Sequence, residues 1–119
     1  MKEILFLQYP KCDTCRKAAK WLEANGLKVN SRDISVDNPT EEELKEWMPK
    51  SELPVNKFFN TSGRIYKEQN LKEKVKSESE DNLIKILASN GMVVKRPLII
   101  TSDFVLVGFN EKEWEDKLL

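Results

Sequence analysis

Apolar and polar positions follow two different periods along this chain, and the changes of period mark its elements. Residues 3–8 (Glu-Ile-Leu-Phe-Leu-Gln) hold a continuous apolar run closed by Tyr9-Pro10, the pattern of a strand buried on both faces. From Asp13 to Asn25 the small or apolar residues Cys15, Ala18, Ala19 and Leu22 recur at i, i+3, i+4 and i+7, and Gly26 supplies a left-handed stop, which predicts a helix. Lys28 to Ile34 alternates weakly between Gly26 and the turn residues Asp37-Asn38-Pro39, as an exposed edge strand does. The opening therefore predicts β-α-β.

The middle of the chain has helical periodicity. Thr40-Glu41-Glu42-Glu43 is a capping box, followed by Leu44, Trp47 and Met48 on one face, with Pro49 expected to end the helix. Phe58 and Phe59 suggest the anchors of a short helix, and Thr61-Ser62-Gly63 a turn before Tyr66. Lys72 to Glu80 is charged enough to predict a surface segment, and Leu83, Ile84, Leu87 and Ala88 mark a further helix ending at Asn90-Gly91. Period two then returns: Pro97 to Thr101 and Phe104 to Gly108 read as an antiparallel hairpin about Ser102-Asp103. Asn110, with Glu113 at the capping-box position, opens a last helix carrying Trp114 and Leu118. The order is β-α-β, helices, β-β-α, without repeats or low-complexity linkers.

Composition narrows the function classes. At 119 residues the chain suits one domain large enough to fold without disulfide staples or a structural metal. It contains no histidine, which removes the usual general base of hydrolases and the commonest zinc ligand. Twenty basic residues against twenty acidic ones disfavour direct nucleic-acid binding, which uses a net basic face. No apolar run exceeds four residues (Ile4 to Leu7, Phe104 to Val107), so neither a membrane span nor a signal peptide is indicated and a cytoplasmic location is expected. Trp21, Trp47, Trp114 and the phenylalanines lie at core-facing spacing without basic interleaving, which fits packing rather than base stacking.

Candidate chemistry begins at Cys12-Asp13-Thr14-Cys15. A cysteine between a strand and a helix meets unpaired backbone N–H groups and the positive end of the helix dipole, both of which favour a thiolate. Cys12 is thus the candidate nucleophile, and Cys15, one turn on and inward, the candidate resolving thiol. Lys11 and Arg16 add positive charge that should lower the Cys12 pKa, with Asp13 opposing. The same spacing also forms half of a zinc site, which here would need a symmetric dimer or carboxylates, and buried cysteines occur as plain core residues. At Arg96-Pro97 the proline marks a strand start. Alternatively Pro97 lies against the cysteine pair, with Arg96 facing an anion or the thiolate. Arg64 and Lys95 are read as a solvated face.

Tyr9-Pro10-Lys11-Cys12-Asp13-Thr14-Cys15-Arg16-Lys17, Lys95-Arg96-Pro97-Leu98-Ile99 and Gly108-Phe109-Asn110-Glu111, with Phe58 to Gly63 between them, resemble the ArsC/Spx family of arsenate reductase-like proteins. The similarity runs in order over essentially the whole chain. It implies a thioredoxin-like α/β fold with a mixed four-stranded sheet, in one domain (1–119) with a helical insertion at about 40–92 between the β-α-β and β-β-α halves. In the glutaredoxin-coupled reductases the residue matching Cys12 attacks arsenate, arginines hold the oxyanion, and glutathione with glutaredoxin completes the reduction. Arg96 matches one arginine, while the others fall near Asn60 and near Gly108-Phe109, which are not basic, so arsenate is disfavoured as the substrate. Cys15 is a feature shared with Spx-type regulators, which bind RNA polymerase. Where those carry a glycine before the Phe58 region, this chain has Leu53-Pro54.

The combined expectation is a monomeric thiol–disulfide oxidoreductase using Cys12, Cys15 and Arg96, with Pro97 structural near the site and no tightly bound cofactor or metal. An external thiol donor, glutathione with glutaredoxin or thioredoxin, would restore it. The alternative is an Spx-like redox-sensing transcriptional regulator that binds the RNA polymerase alpha subunit.

Overall fold

The computed structural model describes residues 3–119. In chain order these form β1 (Leu5–Gln8), α1 (Asp13–Ala24), β2 (Asn30–Asp33), α2 (Glu41–Ser51), a 3-10 turn (Val55–Phe58), α3 (Arg64–Glu68), α4 (Leu71–Ser77) and α5 (Glu80–Ser89). A second 3-10 turn (Gly91–Val93), β3 (Leu98–Ile100), β4 (Val105–Val107) and α6 (Glu111–Leu118) complete the chain. The strands join one sheet in the order β2-β1-β3-β4, with β1 parallel to β2 and antiparallel to β3, and β3 antiparallel to β4. The expected β-α-β and β-β-α halves therefore share a mixed sheet, with the helices of the middle segment inserted between them.

Alternation along the strands builds two cores. Phe6, Ile99 and Leu106 point to the face covered by α1 and α6, where they meet Ala18, Trp21, Leu22 and Trp114. Leu7, Leu98, Ile100 and Val105 point to the other face and pack with Leu44, Trp47, Met48, Leu83, Ile84 and Leu87 of α2 and α5. This is why β1 and β3 are apolar runs without alternation. The exposed Asn30 and Ser31 of β2 suit its edge position. The hairpin turn is Ser102-Asp103: Ile100 faces Val105, and the Thr101 N–H donates to the Phe104 carbonyl at 2.9 Å.

Three local expectations need correction. The buried stripe of α1 is Cys15, Ala18, Trp21 and Leu22; Ala19 lies exposed, because the core beneath α1 and α6 draws on the larger Trp21. Pro49 does not end α2, which runs to Ser51 before Glu52 adopts the left-handed conformation at φ 58°. A proline in the last turn removes a single intrahelical donor, and the Glu52 N–H closes the end on the Pro49 carbonyl at 3.3 Å. Phe58 and Phe59 do not share a helix. Phe58 ends the first 3-10 turn, whereas Phe59 is extended and forms an isolated antiparallel bridge with Val94. The Lys95 N–H donates to the Phe58 carbonyl at 2.8 Å and the Asn60 N–H to the Val93 carbonyl at 2.7 Å. Both rings are thereby buried, and Asn60 to Ser62 are brought beside the head of β3.

The Thr40 capping box is present in full, with the Glu43 N–H donating to Thr40 Oγ1 and the Thr40 N–H to Glu43 Oε1. Glu43 also takes a bidentate pair from Arg32 at 2.7 and 2.8 Å, and Arg32 donates to the Asp37 and Asn38 carbonyls, clamping β2 to α2. Gly91 permits the closest backbone approach: a Cβ there would lie 1.8 Å from the Ile34 carbonyl oxygen. Asn110 caps α6 by accepting the Glu113 N–H at 3.1 Å, and the Trp114 indole N–H donates to the Gly108 carbonyl at 3.2 Å.

Candidate active site

Strand register assembles the site. Leu7 near the end of β1 faces Leu98 at the start of β3, which faces Val107 at the end of β4. The segments flanking these three residues, 9–15, 95–97 and 108–110, therefore converge at one end of the strands. Between them lies a cleft of about 350 Å³ lined by Cys12, Thr14, Asn60, Ser62, Lys95, Arg96, Val107, Gly108, Phe109 and Asn110.

Cys12 is the residue before the first turn of α1, with extended backbone at φ −91°, so its side chain sits at the helix N-terminus. Its N–H donates to the Tyr9 carbonyl at 2.9 Å, and its own carbonyl accepts the Arg16 N–H at 3.0 Å. Both thiols are free; Cys12 is half-buried and Cys15 is 1% exposed. Burial opposes ionisation of Cys12, but the Cys15 N–H, the Cys15 thiol, the Thr14 N–H and the charge of Arg96 together outweigh it and hold its pKa below the ordinary thiol value. Burial pushes Cys15 the other way, to about 12; the Tyr9 N–H, 3.4 Å from its sulfur, offsets part of this, and the neighbouring Cys12 adds to it. The two sulfurs are thus unequal: one favours the thiolate and reaches the cleft, the other stays protonated beneath the surface.

Lys11 and Arg16, expected from sequence to add positive charge beside Cys12, do not supply it. Arg16 is turned to the Pro10 carbonyl, at 2.9 Å, and to Asp13, at 3.4 Å, while Lys11 is exposed and lines no part of the cleft. Arg96 is the cation that acts on Cys12. Its guanidinium is 5.2 Å from the centre of the Tyr9 ring and donates to the Met92 and Val94 carbonyls at 3.3 and 3.4 Å. Pro97 follows a cis peptide bond, is buried, and its carbonyl accepts the Gly108 N–H at 2.8 Å; it fixes this corner without lining the cleft. Lys95, read from sequence as solvated surface, does line the cleft, whereas Arg64 pairs with Glu68 at 3.3 Å outside it. Thr14, Ser62 and Asn110 were not singled out as site residues from sequence. The signals available for Lys95 and Ser62 were adjacency to Arg96 and membership of the Phe58 to Gly63 segment. Among the described residues no group of three or more Cys, Asp or Glu side chains is arranged to hold a metal ion.

The sheet order, the cysteine pair opening α1 and the proline heading β3 define an α/β protein of the thioredoxin-like class. More narrowly, the chain belongs to the ArsC family, whose family model matches residues 7–117. A solved structure of an ArsC family related protein from Bacteroides fragilis is 56% identical and superposes with a TM-score of 0.94 over 96% of each chain. The uncharacterized protein YusI of Bacillus subtilis is 50% identical over 113 residues, covering 95% of this chain and 96% of that protein. Global transcriptional regulator Spx 1 of Bacillus cereus is 32% identical over 104 residues, 87% of this chain and 78% of the regulator. Among the described residues no helix is long and apolar enough to cross a membrane.

Proposed function

We propose that this protein is a thiol–disulfide oxidoreductase in which Cys12 attacks and Cys15 resolves. The observation that carries the proposal is the inequality of the two sulfurs: a cleft-facing Cys12 with a lowered pKa, and one turn on a buried Cys15 held protonated. The Cys12 thiolate attacks one sulfur of a disulfide R–S–S–R′; the substrate S–S bond breaks, a Cys12–S–S–R bond forms, and R′S⁻ leaves to take a proton. The negative charge that had repelled ionisation of Cys15, and the hydrogen bond that had held its proton, then disappear. Cys15 gives its proton to solvent and attacks the Cys12 sulfur, RS⁻ departs, and two electrons have passed to the substrate. An external thiol donor, glutathione with glutaredoxin or thioredoxin, returns them.

Arg96 serves this cycle by stabilising the thiolate. Arsenate is a poor fit as substrate, because the positions expected to bring arginines, Asn60 and Gly108-Phe109, are neutral and Arg64 stays outside, which leaves Arg96 and the point charge of Lys95 in place of a set of bidentate guanidinium contacts. Replacing a bidentate arginine contact by a neutral group forfeits about 1.5–3 kcal/mol of charge-assisted bonding per site.

The test is turnover of a disulfide substrate with a dithiol donor. Cys12→Ser should lose activity by about a thousandfold or more, and Cys15→Ser should accumulate a Cys12 mixed disulfide visible by mass spectrometry. Equal turnover in Cys12→Ser would overturn the proposal. The relationship to Spx 1 supports a second reading, a redox-sensing regulator that binds the RNA polymerase alpha subunit. Stoichiometric, redox-dependent capture of that subunit without disulfide turnover would favour it.

A further inference from the structure

We propose that Lys95 selects the substrate, so that the cleft prefers disulfides carrying a carboxylate or similar anion close to the reacting sulfur. This rests on the thiol–disulfide reading and adds to it the chemical class of the arm attached to that sulfur.

No aspartate or glutamate lines the cleft around Cys12, and two cations do. Their situations differ. Arg96 is half-buried and committed to the Met92 and Val94 carbonyls, the Tyr9 ring and the thiolate. Lys95 is exposed, and among the described residues its ammonium has no ion pair or hydrogen bond, although the chain carries as many acidic as basic residues. A lone ammonium facing an acid-free cleft is available to a ligand.

The backbone holds Lys95 in this place. Its N–H donates to the Phe58 carbonyl at 2.8 Å, and its side chain lies across Gly108, where a Cβ would come 3.0 Å from Lys95 Cε. Gly108 has φ +79°, a conformation that side-chain-bearing residues rarely adopt, so the surface under the lysine stem stays clear. Lys95 and Val107 also line an adjoining hollow of about 340 Å³, which contains Lys57, Asn56 and Thr61 and again no acidic residue. A substrate joined to Cys12 thus has an acid-free path running past Lys95 toward Lys57, which suits an extended arm bearing negative charge.

The test compares two probes, the dianionic aromatic disulfide dithiobis(nitrobenzoate) and the neutral dithiodipyridine. The readout is the ratio of their second-order rate constants, anionic over neutral, which cancels changes in the intrinsic reactivity of Cys12. Lys95→Glu should lower this ratio by about tenfold, the size expected from reversing one solvent-screened charge several ångströms from the ligand, and Lys95→Gln by a few-fold. Lys85→Glu on α5, outside both hollows, makes the same change in net charge and should leave the ratio as it was. An unchanged ratio in Lys95→Glu, or an equal fall in Lys85→Glu, overturns the assignment while leaving the oxidoreductase reading intact. Failure of the wild-type protein to react with either probe overturns both.

Discussion

Cys12 and Cys15 are the same chemical group one helical turn apart, and their surroundings give them opposite tendencies. Cys12 faces two backbone N–H groups, a thiol donor and Arg96, whereas Cys15 meets apolar packing and a single N–H. Alkylation by iodoacetamide follows the thiolate. Its pH profile should therefore show a first midpoint for Cys12 below that of an ordinary thiol, and Cys15 should stay unreactive until the solution is strongly alkaline. Arg96→Gln removes a positive charge that favours the thiolate, so the Cys12 midpoint should move up; a downward move would contradict the role given to Arg96. At this scale the sequence placed Cys12 and Cys15 by their chain neighbourhood at the head of α1, but offered Arg96, far from them in the chain, only as one of two readings and through the family resemblance. It misled where side-chain direction decides: Arg16, four residues from Cys12, spends its charge on Pro10 and Asp13. Lys95 lines the cleft next to the long-range bridge between Phe59 and Val94, which no local pattern announces.

At the scale of elements, the inserted helices must be fastened to the sheet, and Arg32 of β2 is one fastening. Its side chain is 14% exposed, pairs with Glu43 of α2 and lies 5.8 Å from the centre of the Trp47 ring. Hydrogen bonds from Arg32 hold the Glu43 carboxyl below the usual carboxylate range, with the Thr40 N–H and the Arg32 charge reinforcing the effect against burial. A carboxylate with a lowered folded pKa stabilises the protein fully above its unfolded pKa, and that contribution fades as pH falls through the folded value. Glu43→Gln should cost about 1.5–3 kcal/mol in urea unfolding at neutral pH. The gap between wild type and variant should close in acid, and one that widened there would refute this assignment. The capping box at Thr40, the α5 stripe and the hairpin turn were all legible, because each is a local pattern of donors or apolar faces. The Phe58 to Gly63 segment was not, since its conformation is set by a partner strand segment 35 residues away in sequence, at Val94.

The whole molecule has zero formal charge, yet its cleft gathers cations and excludes acids, a segregation that composition cannot reveal. The element order and the mixed sheet could be anticipated, because the β-α-β and β-β-α halves have strong patterns and the family resemblance spans both. The packing of the insertion depends on long-range contacts such as Gly91 against Ile34 and is not encoded in any local periodicity. The central claim, that Cys12 and Cys15 form a working redox couple, is tested most directly by redox titration in glutathione buffers. Trp21 gives the signal: it lies on α1 with Cys15 and packs edge-on against Phe109 of the cleft at 6.3 Å. A single reversible two-electron transition with a midpoint of about −200 to −270 mV, within the range of known oxidoreductases, is the predicted result. Absence of a reversible Cys12–Cys15 disulfide at any glutathione poise would contradict it.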